Sequence, residues 1–170
     1  MSAPGRILAL DLGSKTLGLA VSDPLGLTAQ GLPTVKRTNR RGDLERLREL
    51  VNAYQVELIV VGHPLHLKGY AAARAQEAER FADWLRRDLK LPVELFDERL
   101  TTAEAERLVR ESSQPRDRRG QAAGGRRPSR LRQEKQKGAI DQIAATLLLQ
   151  TYLDQARALA PEPAGPPDEP

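Results

Sequence analysis

The stretch ILALDLGSKTLGLAVSD, residues 7–23, decides the fold, because two apolar runs flank a short turn that contains glycine. This pattern predicts two strands, Arg6 to Leu12 and Thr16 to Ser22, joined as a hairpin. Asp11 is the only acidic residue within the first run, and a carboxylate among leucines needs a partner to offset its desolvation. Three partners remain open: the magnesium of a nucleotide, the metal ion of a nuclease, or the backbone amides of a turn.

Alternating strand-like and helix-like segments follow this hairpin. They comprise a third strand of the same meander, a helix, a buried strand, a helix, a short strand, a capped helix and a final apolar helix. Their predicted ranges are Leu32 to Arg37, Gly42 to Tyr54, Glu57 to Gly62, Tyr70 to Leu89, Pro92 to Phe96, Thr101 to Ser112, and a helix carrying the apolar stripe Ile140 to Tyr152. The order predicts an α/β fold in which a five-stranded mixed sheet, three antiparallel strands and then parallel crossovers, has helices on both faces.

Composition predicts one domain with a short tail. The chain has 170 residues, of which 39% are hydrophobic, and this is enough for a single core over residues 1–157. Residues 158–170 form a predicted disordered tail, because Pro161 to Pro170 holds five prolines, three acids and no base. No apolar run is long enough for a membrane span, and the first residues do not resemble a secretory signal. The absence of cysteine fits a cytoplasmic protein.

The positive charge of the chain is concentrated in one segment. The formal net charge is +4, yet the segment from Gln114 to Lys137 has nine basic and two acidic residues, so it carries +7 and the rest of the chain carries −3. Its glycines and prolines predict a mobile loop over residues 113–137. Such a segment suits a polyanionic partner, above all nucleic acid. The nine basic residues are Arg116, Arg118, Arg119, Arg126, Arg127, Arg130, Arg132, Lys135 and Lys137.

Three carboxylates occupy positions where their elements do not require them. Asp11 ends the first strand, Glu98 follows the last short strand, and Asp141 is predicted in the first turn of the final helix. The carboxyl ends of parallel strands gather at one sheet edge, which would bring Asp11 and Glu98 together with Asp141 beside them. Because three carboxylates repel one another, this set favours hard cations with oxygen ligands.

Each carboxylate also has a structural alternative. Asp11 could accept turn amides, Asp141 could interact with a helix dipole, and the triplet Asp97-Glu98-Arg99 could form a surface ion pair. Other kinds of site fit less well. Residues 13–16 lack the adjacent Gly-Lys of a phosphate loop, and the only histidines, His63 and His66, suit a polar loop that lines the site better than a zinc centre.

Four segments, in this order, resemble the YqgF/RuvX family of RuvC-like, RNase H-fold proteins. They are ALDLGSKTLGLAVS (9–22), IVVGHPL (59–65), FDERLTT (96–102) and KGAIDQIAA (137–145). The resemblance implies an RNase H-like fold with a catalytic triad at Asp11, Glu98 and Asp141. One departure is that His63 and His66 stand where the family usually has leucine and asparagine.

The resemblance further implies divalent-metal nuclease chemistry. Members are described as Holliday junction resolvases and as nucleases that mature the end of pre-16S ribosomal RNA, so the expected partners are structured or single-stranded RNA and branched DNA. Two Mg²⁺ or Mn²⁺ ions, about 4 Å apart, would lie between the three carboxylates. Among the residues expected to bind nucleic acid, Lys137 and Arg99 could neutralise the charge that develops on the phosphate, and Lys15, Thr16 and the basic loop would hold the phosphate backbone. No oligomeric state follows from the pattern.

Two other classes of protein remain as alternatives. A non-catalytic nucleic-acid-binding module could share the fold, although the intact set of three carboxylates argues against it. An actin-like or sugar-kinase-like ATP-binding protein also opens with Asp-x-Gly-Ser-Lys-Thr, as residues 11–16 do here. Such proteins need two domains of this kind, and 170 residues supply one.

Overall fold

The computed structural model describes residues 5–64, 70–97 and 130–159. Within these ranges the chain forms five strands and three helices. In chain order they are β1 (Arg6–Leu12), β2 (Thr16–Ser22), β3 (Ala29–Lys36), α1 (Arg40–Tyr54), β4 (Val56–His63), α2 (Tyr70–Leu89), β5 (Val93–Asp97) and α3 (Arg130–Leu159).

The strands form one mixed sheet in the order β3-β2-β1-β4-β5. The hairpin of β1 and β2 and its neighbour β3 are antiparallel, whereas β4 and β5 run parallel to β1. The predicted five-stranded mixed sheet, with the RNase H-like arrangement that the resemblance implies, is confirmed.

Helices cover both faces of this sheet, as predicted. The larger leucines of the hairpin, such as Leu10 and Leu19, pack on one face with Leu47 of α1 and Phe81 of α2. Smaller residues such as Ala9 and Ala20 lie on the other face, which packs against α3. We call these the α2 face and the α3 face. The small side chains allow the long helix to lie close to the strands.

Most predicted boundaries agree with the structure. The hairpin strands and α2 begin and end at the predicted residues, and α1 begins two residues earlier, at Arg40, with Asn39 as its cap. The strand β3 begins at Ala29 instead of Leu32, because the Ala-Gln-Gly sequence before Leu32 lacks the β-branched character that marks a strand. The helix predicted from Thr101 to Ser112 lies outside the described residues.

The final helix is longer than predicted at both ends. It begins at Arg130, so the prediction of a loop was wrong for residues 130–137, and it ends at Leu159, so residues 158 and 159 belong to the helix and not to the tail. The sequence RLRQEKQK (130–137) consists of strong helix formers, whose propensity outweighs their charge. Residues 113–129 and 160–170 lie outside the described ranges. Over the described part of the chain, no helix is both long and apolar enough to cross a membrane.

Candidate active site

Asp11 lies near the end of β1, directly opposite Gly18 of β2. Alternation along β1 places its side chain on the α3 face, with Ile7 and Ala9. The residue is partly exposed, whereas its neighbours Leu10 and Leu12 are buried on the α2 face. The carboxylate is therefore directed to the face that α3 covers, at the end of the strand.

Gly18 allows the backbone of α3 to approach this point. A Cβ atom at Gly18 would overlap the backbone carbonyl oxygen of Asp141 and would lie 2.9 Å from its carbonyl carbon. The same atom would lie 3.2 Å from the Cβ of Asp11. Asp11 and Asp141 thus flank one glycine, and the structure brings two of the three predicted site residues close together. Gly18 was missed in the sequence analysis, although a glycine inside a strand often marks a close backbone approach.

Asp141 lies in the interior of α3, not in its first turn as predicted. The helix begins at Arg130, so Asp141 is about 16 Å along its axis from the first residue. The favourable effect of a helix dipole on an acidic residue is confined to the first turn. The structural alternative that the sequence offered for Asp141 is therefore excluded.

Thr16 fixes the orientation of the Asp141 carboxylate. Its hydroxyl Oγ1 donates a hydrogen bond to Oδ2 of Asp141, which links the start of β2 to α3 across 125 residues of sequence. The prediction that Thr16 holds the phosphate backbone is not tested by this contact, but the contact gives its hydroxyl a second role at the carboxylate.

The turn between β1 and β2 is held by two arginines that the sequence analysis missed. Arg37 donates through Nη1 to the carbonyl oxygen of Gly13 at 2.8 Å, and Arg74 donates through Nη2 to that of Leu12 at 2.7 Å. The turn itself closes through a hydrogen bond of 3.0 Å from Gly13 N to Thr16 O. Arginine in a strand end or helix gives no sequence signal for such a contact, because the accepting carbonyl is remote in the chain.

A family model for RuvX, described as Holliday junction resolvase, matches residues 5–124. The chain belongs to the RuvX family. Two relatives share the name "Putative pre-16S rRNA nuclease". That of Koribacter versatilis (strain Ellin345) is 43% identical over 151 residues, which are 89% of this chain and 88% of the relative. That of Geobacillus kaustophilus (strain HTA426) is 46% identical over 154 residues, 89% of this chain and 99% of the relative. Among solved structures, T. thermophilus RuvC in complex with Holliday junction substrate matches with a TM-score of 0.47 and 19% identity, over 91% of this chain and 96% of that chain.

The predicted basic site residues within the described ranges lie in the β1–β2 turn and on α3, the elements next to Asp11 and Asp141. Lys15 is exposed in the β1–β2 turn, and Lys137 is exposed on α3, one helical turn before Asp141 and on the same side of the helix. Arg130 and Lys135 lie in the first two turns of α3. The other predicted site residues, Glu98, Arg99, Arg116, Arg118, Arg119, Arg126 and Arg127, lie outside the described residues, as does His66.

His63 was predicted to lie in a polar loop that lines the site, and this prediction was wrong. It ends β4, and its Nε2 is 2.9 Å from Oε1 of Glu79 in α2, on the α2 face. Asp97 pairs in register with His63, and alternation along β5 places it on that same face, because Phe96 faces α3. The physical reason is that β4 extends through His63, so strand alternation sets the direction of its side chain.

The acidic pair fits a hard divalent cation in the chemistry of its donors. Carboxylate oxygens are the ligands that Mg²⁺ and Mn²⁺ prefer. Within the described residues, no group of three or more histidine, cysteine, aspartate or glutamate side chains could hold a metal ion. Glu98, the third carboxylate that the sequence predicts, is not among the residues searched.

Proposed function

We propose that this RuvX-family chain is a divalent-metal-dependent nuclease that hydrolyses phosphodiester bonds with Asp11, Glu98 and Asp141 as its carboxylates. The observation that carries the proposal is the close approach at Gly18, which brings Asp141, in the interior of α3, close to Asp11 near the end of β1. Adjacent carboxylates repel each other, and a bound cation removes that cost. The names of the relatives from Koribacter and Geobacillus support the same activity.

The position of β5 supports Glu98 as the third carboxylate. Leu10 of β1 is level with Val61 of β4, which is level with Leu95 of β5. The ends of β1 and β5 therefore lie at the same edge of the sheet. Glu98 itself lies outside the described residues, but in the sequence it directly follows β5, which ends at Asp97. Its sequence position therefore suits a ligand at the same edge of the sheet.

Each residue of the site has a distinct role in this proposal. Two Mg²⁺ or Mn²⁺ ions held by the three carboxylates would supply an activated water and stabilisation of the leaving 3′ oxygen. Thr16 holds the Asp141 carboxylate in one orientation through its hydrogen bond. Lys15 in the β1–β2 turn and Lys137 on α3 are exposed, and their charges would stabilise the phosphate as negative charge develops on it.

We propose the end of pre-16S ribosomal RNA as the substrate, in the cytoplasm, because relatives that share more than two fifths of their residues carry that name. The test compares cleavage of a ribosomal precursor, a linear single strand and a four-way DNA junction, each with Mg²⁺ and with Mn²⁺. Preferred cleavage of the precursor is expected. Preferred cleavage of the junction would instead assign the activity named in the description of the family.

The variants Asp11→Asn and Asp141→Asn test the site itself. Each removes one ligand, so we expect cleavage to fall below detection and Mn²⁺ binding, measured by calorimetry, to weaken in both. Asp154→Asn is the matched control, because Asp154 is an exposed residue of the same helix, about 20 Å from Asp141. Nucleic-acid binding without cleavage by the wild-type protein would favour a non-catalytic module, and micromolar ATP affinity without cleavage would favour an ATP-binding protein.

A further inference from the structure

A basic groove of about 800 Å³ opens on the α2 side of the β1–β2 turn. Its walls come from that turn, from the connection between β3 and α1, and from α2. Asp11 and Asp141 are not among its lining residues, so it is distinct from the proposed cleavage site. Six basic and three acidic side chains line it, a net charge of +3: Lys15, Lys36, Arg37, Arg40, Arg80 and Arg87 against Asp43, Glu77 and Asp83.

The three acidic residues of the groove are engaged by the protein itself. Asp43 is only 5% exposed and accepts a hydrogen bond of 2.9 Å from the backbone N–H of Thr38. Glu77 accepts from Nη1 of Arg37 at 2.8 Å, and Asp83 accepts from Nη1 of Arg86 at 2.6 Å.

The basic side chains of the groove are left with surplus charge. Lys15, Lys36 and Arg80 form no ion pair with any other residue that the structure describes, and Lys15 and Arg80 are exposed. The free charge that faces solvent in the groove is therefore positive, and an anionic ligand would bind there without competing with an internal acid.

The floor of the groove presents flat cationic surfaces. The rings of Phe81 and Trp84 meet edge to face with centroids 5.3 Å apart. The guanidinium of Arg37 lies 5.9 Å above the first ring, and that of Arg40 lies 4.9 Å above the second. The Arg40 side chain is 69% exposed, and its Nη2 lies 3.5 Å from Oδ2 of Asp88. Nucleic-acid bases stack on such arginine planes as well as on aromatic rings.

We propose that this groove binds the backbone of a single nucleic-acid strand that continues from the cleavage site across the β1–β2 turn. The inference rests on the proposed nuclease function. The turn joins both places, because Thr16 contacts Asp141 while Ser14 and Lys15 line the groove. The α2 wall from Glu77 to Arg87 is about 15 Å long, which suits about four stacked nucleotides at 3.4 Å each.

Salt-dependent binding of single-stranded RNA tests the groove in chelator, where no cleavage occurs. The double variant Arg80→Ser, Arg87→Ser removes two phosphate contacts, so the slope of log affinity against log salt falls by about 1.4. This corresponds to about 25-fold weaker binding at 0.1 M salt, fading toward 1 M. The control Arg46→Ser, Arg157→Ser removes the same charge from exposed positions outside the groove and leaves the slope unchanged. An unchanged slope in the groove variant, or an equal loss in the control, overturns the proposal.

The only tryptophan of the chain, Trp84, provides a second readout inside the groove. A strand that engages Arg40 changes the surroundings of this ring, so titration with a 12-nucleotide RNA shifts or quenches its emission, and the groove variant needs a higher RNA concentration to give the same change. RNA binding with no change in emission overturns the proposal. A change in emission produced by adenosine monophosphate at micromolar concentration also overturns the proposal, because the groove would then bind a free nucleotide and not a strand. Failure of the wild-type protein to cleave any polynucleotide with metal would count against the proposed function separately, since both binding readouts need no cleavage.

Discussion

At the scale of single residues, the substitution Asp11→Asn tests whether Asp11 is a metal ligand or a structural hydrogen-bond acceptor. The amide removes a charge that repels Asp141 and keeps the size of the side chain, so without metal the free energy of unfolding should stay the same or rise by about 0.5 kcal/mol. Thermal unfolding in chelator measures this, alongside cleavage with Mg²⁺, which should be lost. An unfolded Asp11→Asn protein would mean that the carboxylate serves the turn.

Thr16 has two candidate roles, and kinetics distinguish them. If its hydroxyl orients Asp141, as the hydrogen bond indicates, Thr16→Val lowers kcat by roughly tenfold or more and leaves KM unchanged, because a hydrogen bond to a charged group is worth about 1.5–3 kcal/mol. Thr16→Ser keeps the hydroxyl and should restore most of the rate. A raised KM with normal kcat would instead support the role predicted from the sequence, contact with the phosphate backbone.

The sequence indicated Asp11 and Asp141 as site residues but not the reason for their proximity. A lone carboxylate in an apolar strand can be recognised from the sequence, because the free-energy cost of burying it can be judged from its neighbours. The approach of α3 at Gly18, by contrast, depends on the packing of a helix more than a hundred residues away. The same holds for Arg37 and Arg74, whose acceptors are backbone carbonyls that every residue possesses.

At the scale of elements, two glycines on the α3 face should respond differently to alanine. In Gly18→Ala the new methyl group meets the backbone of Asp141, which cannot move without shifting the helix, so we expect a loss of about 1–3 kcal/mol in stability together with most of the cleavage. In Gly31→Ala the nearest atoms belong to the side chains of Thr146 and Gln142, which can rotate. A smaller loss of stability and nearly normal cleavage are expected there. Equal effects in thermal unfolding and cleavage would contradict this account.

The far end of α3 is tied to β5 by Tyr152, and this contact predicts a change in stability at alkaline pH. Burial, and then the hydrogen bond of 2.7 Å to Glu94, raise the pKa of the Tyr152 hydroxyl above its usual value. Its contribution is therefore complete below the unfolded pKa of about 10 and is lost as the pH rises above it. Urea unfolding between about pH 9 and 11 should show a shallower decline for Tyr152→Phe than for the wild-type protein. Parallel declines in the two proteins would show that the pKa of Tyr152 is the same in the folded and unfolded states.

Elements with a regular apolar period were predictable, whereas the start of α3 was not. The alternation of β1 and β2 and the spacing of α2 gave their boundaries, because burial on one face repeats at a fixed interval. The first turns of α3 have no such period, since RLRQEKQK is polar on nearly every side. Charge and nearby glycines indicated a loop, while helix propensity decided the structure. That error also misplaced Asp141 at a helix end.

At the scale of the whole molecule, positive charge lies on both sides of the β1–β2 turn. Lys137 is the last residue of the basic segment, residues 114–137, and lies on the α3 face beside Asp141. The groove with Lys15 and Arg80 opens on the α2 face. The sheet separates the two surfaces. A strand that passes the carboxylates would therefore meet Lys137 on one side of the cleavage site and the groove on the other.

This arrangement predicts that the two surfaces contribute additively to the salt dependence of binding. Each phosphate contact to a single strand contributes about 0.7 to the slope, so exchange of five arginines of the basic segment for serine lowers it by at most about 3.5, and the groove variant by about 1.4. The five are Arg116, Arg118, Arg119, Arg126 and Arg127.

Independent surfaces give additive free energies. The variant that combines all seven substitutions should therefore show the sum of the two separate decreases in slope. Fluorescence anisotropy with one RNA and with a second of scrambled sequence measures this, and the loss should be alike for both, because phosphate contacts position a strand without reading its bases. A combined variant no weaker than either parent would mean that the segment and the groove hold the same phosphates, and the strand would then not cross the turn.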